Sequence, residues 1–372
     1  MDEYEPNKTV SLDELREELN SVTTEIVALL RRRLELCSHV YSVKRATNTP
    51  ILDLVREEEL VSKLVGKANT KEQRVLVRLL REIMSACRSI QSESVIAVPH
   101  SMRNHCVEAA RSVFGSSCSF SLVGGVEEAF RSVEVGSADF AVAPYEGTAH
   151  GGYPYTLDAL IDSQLRIVGE IVLPVEYHIV SVEKSLSAIK VVCADVEAIW
   201  ACQRFLAANL PSAKLFNPPN QRVTRRKGWA YLVGSREAED TGLNILAHGV
   251  QDDRENATRF VVVGREGGFN PNLKGGIPYK TTVVFTAPNR PGVLAGILAD
   301  FGSRGINLTM IGSRPLRKKK WEYAFIIDLD TSEGDPIFLE ALEHVKPKTT
   351  LLRVLGSYPT LTADRPTISM GK

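Results

Sequence analysis

From Ser11 to Glu93 the chain has a single glycine, Gly66, and a single proline, Pro50. These two residue types most readily end helices, so a stretch nearly free of them is directed toward long helices. Apolar residues at Leu15, Leu19, Val22, Ile26 and Leu29, then Leu36, Val40 and Val43, recur in alternating steps of four and three, a heptad-like stripe. The pattern predicts one helix over 11–47, a break at Asn48-Thr49-Pro50, a second helix over 53–67 and a third over 71–92. Ser11 with Glu14 three residues on matches the capping box that opens helices.

Each helix carries a polar group where its neighbours are apolar. Arg33 interrupts the first stripe, Glu57 falls into the stripe of Leu54, Val61 and Leu64, and Gln91 shares the face of Leu76, Leu80, Met84 and Cys87. Lys44 lies about three turns beyond Arg33 on the same face, and Asp53 and Glu57 form an i,i+4 pair beside Arg56. Burying such groups is costly unless partners satisfy them. One reading is a buried ion network that fixes helix register. The other is a polar cavity inside a helical bundle that binds a small dianion; the excess of cations and the neutral Gln91 favour it.

These residues resemble the all-helical class of chorismate mutase: Leu15-Arg16, Leu29-Leu30-x-x-Arg33, Lys44, Asp53-x-x-Arg56-Glu57 and Ile83-Met84-Ser85 with Gln91 stand in register over 11–93. The resemblance implies that Arg16, Arg33 and Arg56 hold the two carboxylates of chorismate. It also implies that Lys44 and Gln91 donate to the ether oxygen, and that Glu57, aided by Asp53 at the start of the second helix, engages the ring hydroxyl. Cys87 occupies a position where the family usually has Ser, a stronger donor than a thiol. Conversion of chorismate to prephenate is a unimolecular rearrangement that needs no nucleophile or cofactor, only a compressed conformer and stabilised charge on the ether oxygen. Arg16 and Arg33 are separated by about 25 Å along one helix, too far for one substrate to touch both. If both act, Arg16 enters a partner's site and the domain is an intertwined homodimer.

From Ser94 to Arg265 short β-branched runs alternate with helical patterns, which predicts a largely parallel, doubly wound α/β region of two lobes. Glu108-Ala109-Ala110, Ala141-Val142-Ala143-Pro144-Tyr145-Glu146, Ile167-Val168-Gly169-Glu170 and Asn256-Ala257-Thr258-Arg259-Phe260 resemble prephenate dehydratase. In that family the threonine of the last motif faces the leaving hydroxyl, a role that falls to Thr258; Glu146, Thr148, Asn256 and Arg259 are the implied cleft residues beside it. The sequence departs from the family at several places. The first loop, Val98-Pro99-His100-Ser101-Met102-Arg103, lacks its glycines; Glu146-Gly147-Thr148 lacks an amide; and Ala194-Asp195-Val196-Glu197 puts acids where neutral donors are usual. Acids there repel a dicarboxylate.

After a Gly/Asn/Pro-rich stretch over 264–278, residues 279–358 follow the order β-α-β-β-α-β, a ferredoxin-like split βαβ. Asn289-Arg290-Pro291-Gly292-Val293-Leu294, Gly305-Ile306-Asn307-Leu308-Thr309 and Ser313-Arg314-Pro315 resemble the ACT domain, which senses amino acids. The implied effector residues are Pro291, Gly292, Val293, Leu294, Ser313 and Arg314, with phenylalanine the expected effector. Gly312 replaces the glutamate that opens the later motif in phenylalanine-regulated relatives. The last dozen residues look disordered.

Forty-five basic residues balance 45 acidic ones, which speaks against nucleic acid or an anionic membrane as the main partner. No apolar run reaches the length of a membrane helix, and the acidic MDEYEPNK start has no signal-peptide character. Six cysteines without a CxxC pair and seven scattered histidines predict reduced cytoplasmic thiols and neither metal nor cofactor. The expected protein therefore has an all-α domain at 8–93, a two-lobed α/β domain at 94–264 and an α+β domain at 279–358. It is expected to be a bifunctional chorismate mutase and prephenate dehydratase, homodimeric or larger, acting on chorismate and prephenate. Two other readings stay open here: a mutase with an inactive or retuned dehydratase-like domain, and a non-catalytic amino-acid-binding regulator.

Overall fold

A computed structural model describes residues 11–47, 53–66, 70–90, 94–100, 102–148, 151–218, 222–265, 279–316 and 322–361. The stretch over 266–278, the C-terminal tail and Gln91 lie outside these residues.

Three helices come first: α1 (Leu12–Ala46), α2 (Leu54–Val65) and α3 (Lys71–Ser89). The predicted Ser11/Glu14 box opens α1, the Asp53 carboxylate accepts from the Arg56 amide to open α2, and Thr70 with Gln73 opens α3. Their shared core is small, built on Val61, Val77 and Met84 with Leu80 and Val65 against it. The buried Arg81–Glu58 ion pair locks α2 to α3. Along α1 no residue is fully buried, and the stripe from Leu15 to Val43 stays exposed, Leu29 by 65%.

The first lobe of the middle region contains β1 (Val95–Pro99), α4 (Arg103–Phe114), β2 (Ser119–Val123), α5 (Val126–Glu134), β3 (Phe140–Gly147), β4 (Gly151–Gly152), α6 (Pro154–Asp162) and β5 (Arg166–Pro174). The chain then builds the second lobe from β6 (Tyr177–Ser181), β7 (Val191–Cys193), α7 (Val196–Ala201), α8 (Gln203–Asn209), β8 (Lys214–Phe216), β9 (Trp229–Gly234), α9 (Ser235–Asp240) and β10 (Asn244–Ala247). It returns through β11 (Ala257–Gly264), which slots between β3 and β5. The strand orders are β2-β1-β3-β11-β5 and β10-β6-β9-β7-β8. Both sheets are mixed rather than largely parallel: β1 runs parallel to β2 and β3, while β11 is antiparallel to both its neighbours and β6 is antiparallel to β9. The helical pattern over 196–210 breaks at the buried Cys202, where the Asp252 carboxylate accepts from the Arg204 and Phe205 amides and starts α8 as a separate helix.

The last unit is β12 (Tyr279–Thr286), α10 (Val293–Gly302), β13 (Leu308–Pro315), β14 (Tyr323–Leu329), α11 (Pro336–Val345) and β15 (Leu351–Pro359), with strand order β13-β14-β12-β15. Period-two alternation gives its sheet two apolar faces. Val283, Phe285, Ile327 and Leu329 pack under α10 and α11. Val284, Ala324, Ile326, Leu355 and Tyr358 pack against Phe130, Leu157 and Leu160 of the first lobe. This joint is close. A Cβ at Gly356 would stand 2.1 Å from the Ile167 carbonyl oxygen, and Arg353 closes the C-terminus of α6 by donating to the Ser163, Leu160 and Ile161 carbonyls at 2.6–3.0 Å.

Candidate active sites

The helical region holds a cleft of about 430 Å³ lined by Arg33, Cys37, Val40 and Lys44 of α1, by Asp53, Arg56, Glu57 and Leu60, and by Met84, Cys87 and Arg88 of α3. Six of the expected residues, Arg33, Lys44, Asp53, Arg56, Glu57 and Cys87, thus meet in one place. Helical spacing brings them there: Arg33, Cys37 and Lys44 fall within three turns of one face of α1. The Arg33 guanidinium donates to the Ile83 carbonyl at 3.4 Å and contacts the Cys87 sulfur. Burial, reinforced by a hydrogen bond with Cys37, pushes the Cys87 thiol up to about 11, so it stays neutral like the serine it replaces. Burial lowers the Lys44 ammonium, against the opposing pull of Asp53 and Glu57. One Glu57 oxygen is bound by Arg88, while the other is buried and has no hydrogen-bond partner among the described residues.

Arg88 is the residue that sequence reasoning missed. Its second nitrogen donates at 2.6 Å to the carbonyl of Phe114, the last residue of α4, so the helical site is braced on the first lobe. The signal available was its position four residues after Met84, on the face the third helix buries. Arg16 is not in this cleft; it lies on the exposed end of α1, paired with Asp13 at 3.2 Å.

A second cleft, of about 240 Å³, opens between the two lobes. The β1–α4 turn supplies His100, Met102, Arg103, Asn104 and His105, the start of α7 supplies Asp195 and Glu197, and Asn217, Gly234 and Glu237 complete the rim. Met102 adopts φ 52, a left-handed conformation usually left to glycine, where the family has glycines nearby. Burial first, then the neighbouring Glu197, raises the Asp195 carboxyl to about 6. Burial also raises Glu237, which accepts from Asn104 and ties the second lobe to the first. Asp195, one of the acids that replace neutral donors here, is therefore held toward neutrality, which weakens the repulsion it exerts on a dianion.

Thr258, on β11, is 3% exposed and does not itself line the cleft; its hydroxyl meets the Tyr153 phenol behind the cleft wall. Tyr153 in turn touches the Met102 sulfur at 2.9 Å. The other expected cleft residues do not line the opening. The Asn256 amide donates to the Val175 carbonyl at 2.9 Å, and the Thr148 hydroxyl oxygen accepts from the Ala257 amide at 3.0 Å. Arg259 is buried on the far side of β11 in ion pairs with Glu146, Glu170 and Asp328. The charge Arg259 needs is supplied by protein carboxylates, so it is a structural cation rather than a cleft residue.

In the last unit Gly292 takes φ 82 at the start of α10, with Pro291 exposed before it and Val293 and Leu294 in the first turn. Strand register sets Ser313 and Arg314 level with Phe325 and Ala324, which in turn lie level with Phe285 and Thr286, at the same end of the sheet as this turn. Ser313 is exposed, whereas Arg314 grips Asp158 of α6 with both arms, at 2.6 and 2.9 Å. Among the described residues no group of three or more His, Cys, Asp or Glu is arranged to hold a metal, and no helix is long and apolar enough to cross a membrane.

A relative from Aquifex aeolicus, described as a bifunctional chorismate mutase/prephenate dehydratase, is 34% identical over 359 residues, covering 94% of this chain and 98% of its own. The chain belongs to that family. Three family models match in order: chorismate mutase type II over 15–92, prephenate dehydratase over 105–268 and the ACT domain over 281–345. A relative of the same description from Stutzerimonas stutzeri is 29% identical, covering 94% of this chain and 97% of its own. The crystal structure of prephenate dehydratase in complex with L-Phe from Arthrobacter aurescens superposes with a TM-score of 0.63 at 29% identity, over 72% of this chain and 93% of that one. Prephenate dehydratase from Staphylococcus aureus, 20% identical over 71% of this chain and 99% of that one, shares the fold at a TM-score of 0.59.

Proposed function

We propose that this chain carries out two successive reactions of phenylalanine biosynthesis, chorismate to prephenate in the helical region and prephenate to phenylpyruvate between the two lobes, and that its C-terminal module binds phenylalanine. The observation that carries the reading is the convergence of Arg33, Lys44, Arg56, Glu57 and Cys87, from three helices, on one cleft. Fixed cations there compress a dicarboxylate and stabilise charge as its ether bond stretches, and a rearrangement asks for nothing more. The unpartnered Glu57 oxygen is free to accept from the ring hydroxyl, while Gln91 and Lys44 serve the ether oxygen.

The exposed stripe of α1 supports a homodimer in which a second copy covers it and delivers its Arg16 to the cleft. Thr258, joined through Tyr153 to the cleft residue Met102, supports dehydration, with Arg103 as a cation for the substrate carboxylates and Asp195 poised near its ionisation point. The Pro291–Leu294 turn and Ser313 sit at one end of the C-terminal sheet, where a carboxylate and an amine of an effector are received, and this supports allosteric control. Six free cysteines support a cytoplasmic enzyme. We assign the domains to 8–93, 94–264 and 279–358.

The test is to give purified protein chorismate and follow chorismate loss and phenylpyruvate absorbance together, with and without phenylalanine. Both signals are expected, the second falling when phenylalanine is added. Chorismate consumption without phenylpyruvate would reduce the protein to a mutase, and no consumption would end the reading.

A further inference from the structure

We propose that Asp328, on the C-terminal sheet, is a positioning residue for dehydration, acting on Thr258 through Arg259 and Tyr145; the proposal rests on the reading of Thr258 given above. Thr258 and Arg259 are consecutive on β11, so their side chains leave opposite faces of the sheet. Thr258 faces Tyr153 on the cleft side, and Arg259 reaches toward the C-terminal unit.

The ladder between β11 and β3 is irregular at this point. Arg259 pairs with Glu146 and Phe260 with Pro144, leaving Tyr145 as the extra residue of a bulge. A bulge re-aims the side chains beside it, and it holds a fixed shape only where something fixes it. Asp328 does so from both sides. Its Oδ2 binds the Arg259 guanidinium at 2.6 Å, its Oδ1 accepts from the Tyr145 hydroxyl at 3.0 Å, and that guanidinium stacks over the Tyr145 ring at 4.7 Å.

Further partners hold the network together. Glu170 of β5 binds Arg259 at 3.0 Å and Lys280 of β12 at 2.8 Å, and Thr282 donates to Asp328 at 2.7 Å. Asp328 and Glu170 are completely buried. A buried network of this kind is weak as a source of stability and strong as a determinant of geometry, because removing one member strands the others. One carboxylate from the C-terminal unit thus fixes the two residues that shape the strand under Thr258.

The test compares four full-length proteins, with mutase activity as an internal measure of folding. Wild-type turnover of prephenate comes first; its absence would sink the reading of Thr258 and this proposal with it, whereas normal turnover lets the variants test this proposal alone. Asp328→Asn is expected to lower dehydratase kcat about tenfold with KM within about twofold, as for a group that orients rather than binds. Tyr145→Phe, which deletes one hydroxyl, is expected to lower kcat about threefold and decides the matter if Asp328→Asn fails to fold. Arg353→Met loosens the same joint at α6 without touching the bulge, and its kcat is expected to be unchanged. Unchanged kcat in a folded Asp328→Asn or in Tyr145→Phe, or an equal loss in Arg353→Met, would overturn the proposal.

Discussion

The two clefts are built on opposite principles. The helical one is a set of side chains projected from regular helices, with a small core behind it and one wall of α1 facing outward. The interlobe one is assembled from a strand–helix turn, a short helix start and the ends of β6 and β9, on sheets whose strands are almost wholly buried. The first has its chemistry written in helical periodicity but is open on one side. The second is rigid from behind, and its chemistry depends on backbone features that periodicity does not record. Where a site takes its groups matters as much as which groups it takes.

Four measurements break or sharpen this contrast. The largest effect is expected from Arg33→Ala, which removes a fixed cation: mutase kcat should fall by about 10³-fold while dehydratase turnover in the same chain stays within twofold. Mixing that variant with Arg16→Ala should recover part of the mutase activity in heterodimers, and no recovery in verified heterodimers would mean that the cleft is complete within one chain. Thr258→Ala should do the reverse, lowering phenylpyruvate formation by about 10²-fold and sparing chorismate loss. Arg88→Met, which releases Glu57 and abandons the Phe114 carbonyl, should lower mutase kcat about tenfold; an unchanged kcat would show that Arg88 supports only the joint between helices and lobe.

The smallest effect concerns pH. The Asp195 carboxyl is raised to about 6, so it is neutral below that pH and charged above it. A charged Asp195 repels a dianionic substrate, so the wild-type KM for prephenate should rise as pH climbs through about 6. Asp195→Asn should flatten that rise and lower KM about threefold at pH 8. A pH profile identical in the two proteins would place the substrate carboxylates elsewhere.

Much of this was legible in the chain itself. Gly and Pro scarcity, caps and stripe spacing gave the three helices nearly to their ends, and Arg33, Lys44 and Glu57 stood out as charges inside apolar stripes. The C-terminal strands and helices likewise followed their alternation. Arg259 was misplaced because a motif names neighbours along a strand, whereas the pleat sends them to opposite faces. The stop at Cys202 was hidden because Asp252, which starts α8, lies far along the chain. Met102 filling a left-handed position is likewise a tertiary override of a local preference. Asp195 read as a plain anion because desolvation has no signature in a linear sequence.

The hydrogen atom that serves as side chain at Gly356 has a consequence for engineering. The two surfaces it separates leave no room for a methyl group, so the C-terminal unit cannot be grafted from a donor chain that carries any larger residue there without prying the units apart. An alanine at that point would act as a wedge one carbon thick, driven between the strand and the Ile167 carbonyl.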